Sequence, residues 1–510
     1  MPSPTFTLLA DSYGDIDTAD QLSAASAFGK VFVANGANLR VADFINTKIA
    51  TAAIGSHAPD SGTVLTGGTS GAKMVVDYIT TTTGACTIYG YRTTDETFEV
   101  EAVSGTDDDG NAISFTTSGD ETSQPHWYNW TVFGGDATNN GAMPNRAYLC
   151  CIYRGRVVLS GNPEYPNQWY MSRIARPFDW LYGADDPMSA VAGNNADAGQ
   201  CSDMVTALIS FHDDYLVFGG TASVWILRGD PVAGGSLDNL TTTTGIFGHR
   251  SWCFDEDRNL YFWGDGGIYK VLSDFSQLQN LTELALPKLI TDEAPDPTTH
   301  MITMGFDKRR HGLVICITKL IDGTNSNYFY SLQTKGFYPE TYPEQCASYS
   351  MLYYDANDKD YADLLVGCTD GYIRRFVDSA KDDDIGNTDE AISSYVTYPI
   401  IPLGKEEDAE GKITSLVLDS AGGEASGDFS DTDGFSWEIH LGDDAETVLE
   451  DIKDGATAVF TGTVSGTGRQ NKVRSRMRGA FAGLKIFNSS AASTWAINRV
   501  LYQTKPSGSN

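Results

Sequence analysis

Basic residues are scarce: 35 Lys and Arg stand against 67 Asp and Glu over 510 residues, a formal net charge of −32. Proteins that grip nucleic acid do so largely with cations that displace phosphate counterions. A surface evolved for tight DNA binding is therefore not expected, although DNA could pass nearby without sticking. Long apolar runs are missing too. No stretch approaches the roughly 18 apolar residues of a membrane span, and the opening MPSPTFTLLADSYGD lacks the basic flank and apolar run of a signal peptide. Neither a span nor secretion is expected. The eight cysteines are scattered, with no CxxC and no Cys–His pairing, so buried reduced thiols in a chain made in the cytoplasm are expected and zinc is not. None of the seven histidines (His57, His126, His212, His249, His300, His311, His440) falls in HExxH or HxH, so no metal site is expected. GxSxG and the phosphate-cradling GxxxxGK[ST] are also missing. No catalytic residue and no cofactor are expected.

What the chain has in quantity is glycine (52), tyrosine (25), and an apolar fraction of 41%. That is enough for a real core, and it favours strands and turns over helices. One plan recurs: a polar loop, an apolar run, a Gly/Asn/Asp turn, a second strand. It appears as FGKVFVANGANLRVAD (28–43), YRGRVVLSGNPEYPNQWYMSR (153–173) and FHDDYLVFGGTASVWILRGD (211–230). It returns as DEDRNLYFWGDGGIYKVLSD (255–274), FDKRRHGLVICITK (306–319) continuing to NYFYSLQTKGFYPE, and YDANDKDYADLLVGCTDGYIRRFVDS (354–379). The later copies start at 211, 255, 306 and 354, giving spacings of 44, 51 and 48 residues. A period of about 40–50 residues with several short strands per repeat is that of β-propeller blades. The expectation is an all-β chain with a β-propeller of about six blades.

Two regions break the pattern. Residues 59–124 are rich in Gly, Thr, Ser and Asp and read as a small β module inserted in a propeller loop. After the acidic AKDDDIGNTDE (380–390) the repeat stops, and KITSLVLD, FSWEIHLG and STWAINRVLYQ read as a separate β-sandwich. The expected domains are 1–58 (start of the propeller), 59–124 (inserted module), 125–390 (remainder of the propeller) and 391–510 (C-terminal β-sandwich).

Few segments invite chemistry. TDDDGNAISF and SDTDGFSWEIH imitate calcium loops but lack the first carboxylate and the closing Glu of an EF-hand. Ser430, Asp433, Gly434, Ser436 and Trp437 approximate the Asp-box of sialidase-like propellers, which is read here as a hairpin turn. Carboxylate pairs for glycoside cleavage arise by chance among 67 acids. The basic concentration is GRQNKVRSRMRG (468–479), containing Arg469, Lys472, Arg474, Arg476 and Arg478. On one strand, Arg474, Arg476 and Arg478 share a face and Val473 and Met477 take the other. This strand is read as a subunit-interface or salt-bridge ladder against carboxylates, with a DNA or lipopolysaccharide contact as the alternative.

Three consecutive segments carry a resemblance: RVVLSGNPEYPNQWYMSRIARPFDW, VTALISFHDDYLVFGGTASVWILRGDP and TTTGIFGHRSWCFDEDRNLYFWGDGGIYKV. In order and spacing they resemble the propeller-bearing tail tube, nozzle or hub proteins of short-tailed bacteriophages, and the C-terminal GRQNKVRSRMRGAFAGLKI is similar to the closing β domain of such proteins. The likeness covers roughly three fifths of the chain and leaves out 59–124. It implies a homo-oligomeric ring, commonly hexameric, in the virion tail. That ring lies below the portal and adaptor, and double-stranded DNA passes through it without specific binding. It also implies neighbouring tail proteins, possible contact with a host-surface receptor, and no catalytic residues. Two other classes remain open: a glycan-binding propeller, and a glycan-degrading one.

Overall fold

The computed structural model describes residues 9, 16, 21–183, 186–377, 380–386, 388–404, 409–421, 432–466, 468–473 and 477–506. The chain divides into two compact units, Met1–Pro297 and Thr298–Asn510.

The first unit contains four successive four-stranded antiparallel sheets. The first is Ser23–Ala27, Lys30–Ala34, Leu39–Asp43 and His126–Asn129, and the second is Leu149–Tyr153, Arg156–Ser160, Trp169–Met171 and Val191–Ala192. The third is Val205–Phe211, Tyr215–Gly220, Val224–Arg228 and Ser236–Thr241, and the fourth is Trp252–Phe254, Leu260–Gly264, Gly267–Val271 and Leu278–Asn280. The second unit continues with a four-stranded sheet (His300–Asp307, Gly312–Lys319, Asn325–Ser331, Phe337–Glu340) and a three-stranded one (Ser348–Tyr354, Asp363–Cys368, Ile373–Arg375). These are six blades of β-propeller type, and each hairpin recognised in the sequence supplies the second and third strands of one blade.

The reason lies in burial. Middle strands are covered on both faces and therefore read as continuous apolar runs: every residue of Leu260–Gly264 is buried, and all of Gly312–Lys319 except Lys319. Outer strands such as Ser236–Thr241 are half exposed and polar. The turns joining first to second strands need left-handed backbone, as tight hairpins do. Phe28–Gly29 (φ 54 and 69) and Arg154–Gly155 (φ 49 and 70) close two-residue turns between Ala27 and Lys30 and between Tyr153 and Arg156.

The inserted module is a six-stranded sheet ordered Thr47–Thr51, Cys86–Arg92, Lys73–Ile79, Val64–Gly67, Ala102–Thr106, Ala112–Thr116. It begins at Thr47, not at 59, and it interrupts the first blade between its third and fourth strands. TKIAT reads as more blade because it has the same apolar alternation. Thr117 and Thr122 bridge back to Thr51 and Lys48, bringing the far edge round to the first strand.

The module docks on its blade through rings and one ion pair. Tyr78 stacks on Tyr128 (5.3 Å) and on Phe178 (4.3 Å), and Tyr89 lies 4.3 Å from Tyr128. Each such pair contributes roughly 0.5–1.5 kcal/mol beyond area burial. Below them the buried Lys30 ammonium meets Asp77 at 2.6 Å. Asp43, fully buried, accepts from Tyr128 Oη (2.9 Å), Asn46 Nδ2 (2.7 Å) and the Ile45 and Asn46 amides (3.1 Å each). Burial, with Asp43 and Asp77 adding to it, pushes the Tyr128 phenol well above its ordinary range.

Beyond the sixth blade the second unit carries a short acidic hairpin (Asp382–Asp384 with Asp389–Ala391) and two sheets that sandwich one core. Strand Gly434–Gly442 points Phe435, Trp437 and Ile439 inward, and Gly411–Ser420 points Ile413, Leu416 and Leu418 to meet them. This is the expected C-terminal sandwich, its first strand starting at Ser394. The compact division falls at Pro297, in the long connection bearing two one-turn helices, rather than at 390.

Candidate functional site

The basic segment 468–479 is not one straight strand. Gly468–Val473 and Met477–Gly479 both pair with Gly411–Ser420, placing Arg469 and Lys472 on the first and Arg478 on the second. Arg478 is exposed and its Nε donates to Glu410 Oε2, a carboxylate meeting this segment from the loop before the neighbouring strand. Arg474 and Arg476 lie outside the described residues, so the shared arginine face is not on view. The Asp-box likeness dissolves in part. Gly434–Trp437 open a long strand rather than a hairpin turn, Asp433 accepts from the Thr494 amide (2.9 Å) and from Lys381 Nζ (3.4 Å), and Ser430 lies outside the described residues.

A second basic group was missed because it is discontinuous in sequence. Lys308, Arg309 and Arg310 occupy the first turn of the fifth blade, while Arg374 and Arg375 lie within Ile373–Arg375, the last strand of the sixth. Arg309 Nη2 and Arg375 Nη1 converge on Asp363 Oδ2 at 3.3 and 3.7 Å. The Lys308 ammonium lies 4.0 Å over the Tyr353 ring, the Arg310 guanidinium lies 3.9 Å over Phe329 and pairs with Glu340, and Arg374 pairs with Asp370 at 2.7 Å.

Carboxylates form two notable groups. In the module, Glu101 accepts from Ser70 Oγ (2.5 Å) and from the Thr69, Ser70 and Glu99 amides (2.6, 2.9 and 3.2 Å). Burial alone would raise this carboxyl, but those donors outweigh it and hold the pKa at about 2. In the acidic hairpin Asp383 faces Glu390 across the ladder. Burial first, then Glu390, Asp382 and Glu340, raise Asp383 to about 6 against the opposing pull of Arg374.

A cleft of about 460 Å³ opens beside the first blade, lined by Leu39, Arg40, Asn129, Trp130, Val132 and Met143 among others. Of its lining residues only Arg40 is ionisable, so it holds no acid–base pair. All eight cysteines are free thiols, and seven are buried. Burial pushes Cys150 and Cys201 up to about 12, which keeps them protonated and poor nucleophiles. His249 lies against Leu22 O (3.2 Å) and Arg250, and burial followed by Arg250 lowers its pKa to about 4. Among the described residues no cluster of three potential metal ligands occurs, and no helix is long and apolar enough to cross a membrane.

No family model and no curated protein matches the chain. Several solved structures are similar to it at low identity. One is the extracellular domain of a one component system from B. thetaiotaomicron (11% identity, TM-score 0.32, 73% of this chain and 43% of that one). Another is PorZ, a surface component of the type-IX secretion system of Porphyromonas gingivalis (13%, TM-score 0.33, 98% and 60%). A third is a streptogramin B lyase (10%, TM-score 0.26, 65% and 88%). The chain thus spans less than half the length of the first. At these TM-scores the likeness carries no argument about activity, and the assignment as an all-β chain with propeller blades rests on the sheets themselves.

Proposed function

We propose that this chain is a structural, non-catalytic subunit of a short-tailed phage tail. Made in the host cytoplasm, it assembles as a ring below the portal and adaptor and conducts the genome during ejection. The observation that carries the reading is that the three segments of family resemblance fall, in order, on the second, third and fourth blades. Those blades are stitched together by more than apolar packing. Tyr153 Oη donates to Gly229 O (2.9 Å) and the Arg154 amide to Asp213 Oδ1 (2.8 Å), tying the second blade to the third, while Arg250 Nη2 before the fourth blade donates to Leu22 O (2.8 Å) at the entry to the first. Such ties suit a part that bears load. The charge of −32 also suits a conduit, because carboxylates repel phosphate within a Debye length of about 8 Å at physiological salt.

Light scattering and electron microscopy of the purified protein test this. A ring with a central passage is expected, and a monomer at every concentration would refute it. A second reading, glycan recognition at the host surface, draws on four exposed tyrosines of the last two blades, Tyr338, Tyr354, Tyr361 and Tyr372. Binding on a glycan array, lost on Tyr→Ala changes, would favour it; release of reducing ends would mark a glycan-degrading enzyme instead.

A further inference from the structure

We propose that Lys308, Arg309 and Arg375 form a contact between copies that receives the Asp107–Asp109 loop of a second copy of this chain. The proposal rests on the oligomeric reading above and names the surfaces involved.

The patch is built by two blades. Arg309 and Arg375 share a single oxygen of Asp363, so two guanidiniums face one carboxylate. Asp307, at the start of the same turn, is turned to the Arg309 and Arg310 amides (3.0 and 3.2 Å). Both acids are buried, at 2% and 3% exposure, whereas Lys308, Arg309 and Arg375 are exposed. An approaching partner therefore meets cations with their counter-charges beneath them. Arg375 is further fixed by donating to Asp360 O (2.7 Å), and Lys308 by the Tyr353 ring, which lowers the entropy lost on contact. On a molecule of net charge −32 a cationic patch runs against the prevailing sign, and its complement is anionic.

Duplex DNA is the weaker candidate. Three cations release few counterions, and the field of the whole molecule opposes a polyanion. A second copy offers a better match. Asp107, Asp108 and Asp109 form the turn between Ala102–Thr106 and Ala112–Thr116, with Asp108 and Asp109 exposed. Asp107 is held by Asn111 (2.6 and 3.0 Å), which presents the loop in one shape. After burial, the charges of these three raise the Asp60 carboxyl, so negative charge is concentrated at the loop. Cation patch and carboxylate loop are different surfaces, so the contact is heterologous, the kind that closes into a ring.

The test uses the full chain in sedimentation velocity at low and high salt, with three variants: Lys308→Glu with Arg309→Glu and Arg375→Glu; Asp108→Lys with Asp109→Lys; and all five together. Each reversal alone is expected to weaken assembly by on the order of 100-fold, and the combined variant to restore it. The aspartate variant lies on an exposed turn, so it reads the same contact even if the arginine variant fails to fold. Unchanged assembly in the aspartate variant, or loss without restoration in a folded combined variant, overturns the proposal while leaving the ring reading intact. A monomeric wild type overturns both. Duplex binding abolished by the arginine variant, with assembly unaffected, makes the patch a polyanion contact and overturns the proposal as well.

Discussion

Replacing Arg156 with methionine should loosen the second blade. This side chain is fully buried at the start of Arg156–Ser160. Its guanidinium donates to the carbonyls of Ser172 (3.0 Å), Pro187 (3.0 Å), Met188 (3.2 Å) and Ser189, and reaches Asp230 Oδ2 at 3.4 Å. It thus holds the loop 186–190 against the blade and ties that blade to the end of the next. Four carbonyl bonds at a net ~1 kcal/mol each amount to about 4 kcal/mol. Filling the site with an apolar chain of similar length returns about 1–2 kcal/mol, leaving a loss of about 2–3 kcal/mol. Hydrogen exchange localises it: amides of 188–192 should exchange roughly 30- to 150-fold faster, since ~1.4 kcal/mol is a factor of ten, while the sandwich is unaffected. Arg156→Lys should fall between, because an ammonium offers three donors from a point rather than a planar fork. Unaltered exchange at 188–192 in Arg156→Met would show that the guanidinium does not hold the loop, and the reasoning would fail.

Other perturbations bear on the module and the acidic hairpin. Lys30→Met leaves Asp77 and Asp43 without their buried cation and should cost about 2–4 kcal/mol, seen as earlier proteolysis of the module. Glu101 has a folded pKa of about 2 against an unfolded value near ~4.3. Its contribution is therefore complete above about pH 4.3 and is lost as pH falls toward 2; Glu101→Gln should melt earlier than wild type at neutral pH and converge with it in strong acid. Asp383 runs the other way: its pKa rises to about 6 on folding, so stability is present below the unfolded value near ~3.9 and is lost as pH rises through 6. Asp383→Asn should stabilise the second unit by about 1 kcal/mol at pH 8, after discounting for its partial exposure, with no gain near pH 4. Gly141 adopts φ 72 with the Trp180 carbonyl where a Cβ would stand, so Gly141→Ala should cost at least ~2 kcal/mol in a thermal melt.

How much was readable beforehand follows from burial. Middle strands such as LYFWG and GLVICITK announce themselves because both faces are covered. Fourth strands such as SLDNLT and LQN, covered on one side, carry no comparable pattern and were invisible. The module boundary was misplaced at 59 because TKIAT has the alternation of the blade strand just before it. The cation patch escaped for a different reason. A contiguous basic run such as 468–479 catches the eye, whereas Lys308, Arg309 and Arg375 become neighbours only when adjacent blades bring Asp363 between them. Charge in the sequence is one-dimensional, and the shared carboxylate is a property of the fold.

The first blade is the earliest begun but not the earliest finished. Its last strand, His126–Asn129, pairs with Leu39–Asp43 in a register that sets Asp43 opposite His126. A nascent chain must therefore make residues 44–125 before that sheet can close, and its open edge stays exposed on the ribosome meanwhile. The same geometry leaves the two ends of the intervening segment side by side. Excising it and joining 43 to 126 with a short turn would restore an ordinary hairpin but bare Tyr128, Phe178 and Lys30, so a replacement segment has to bring its own cover for those three side chains.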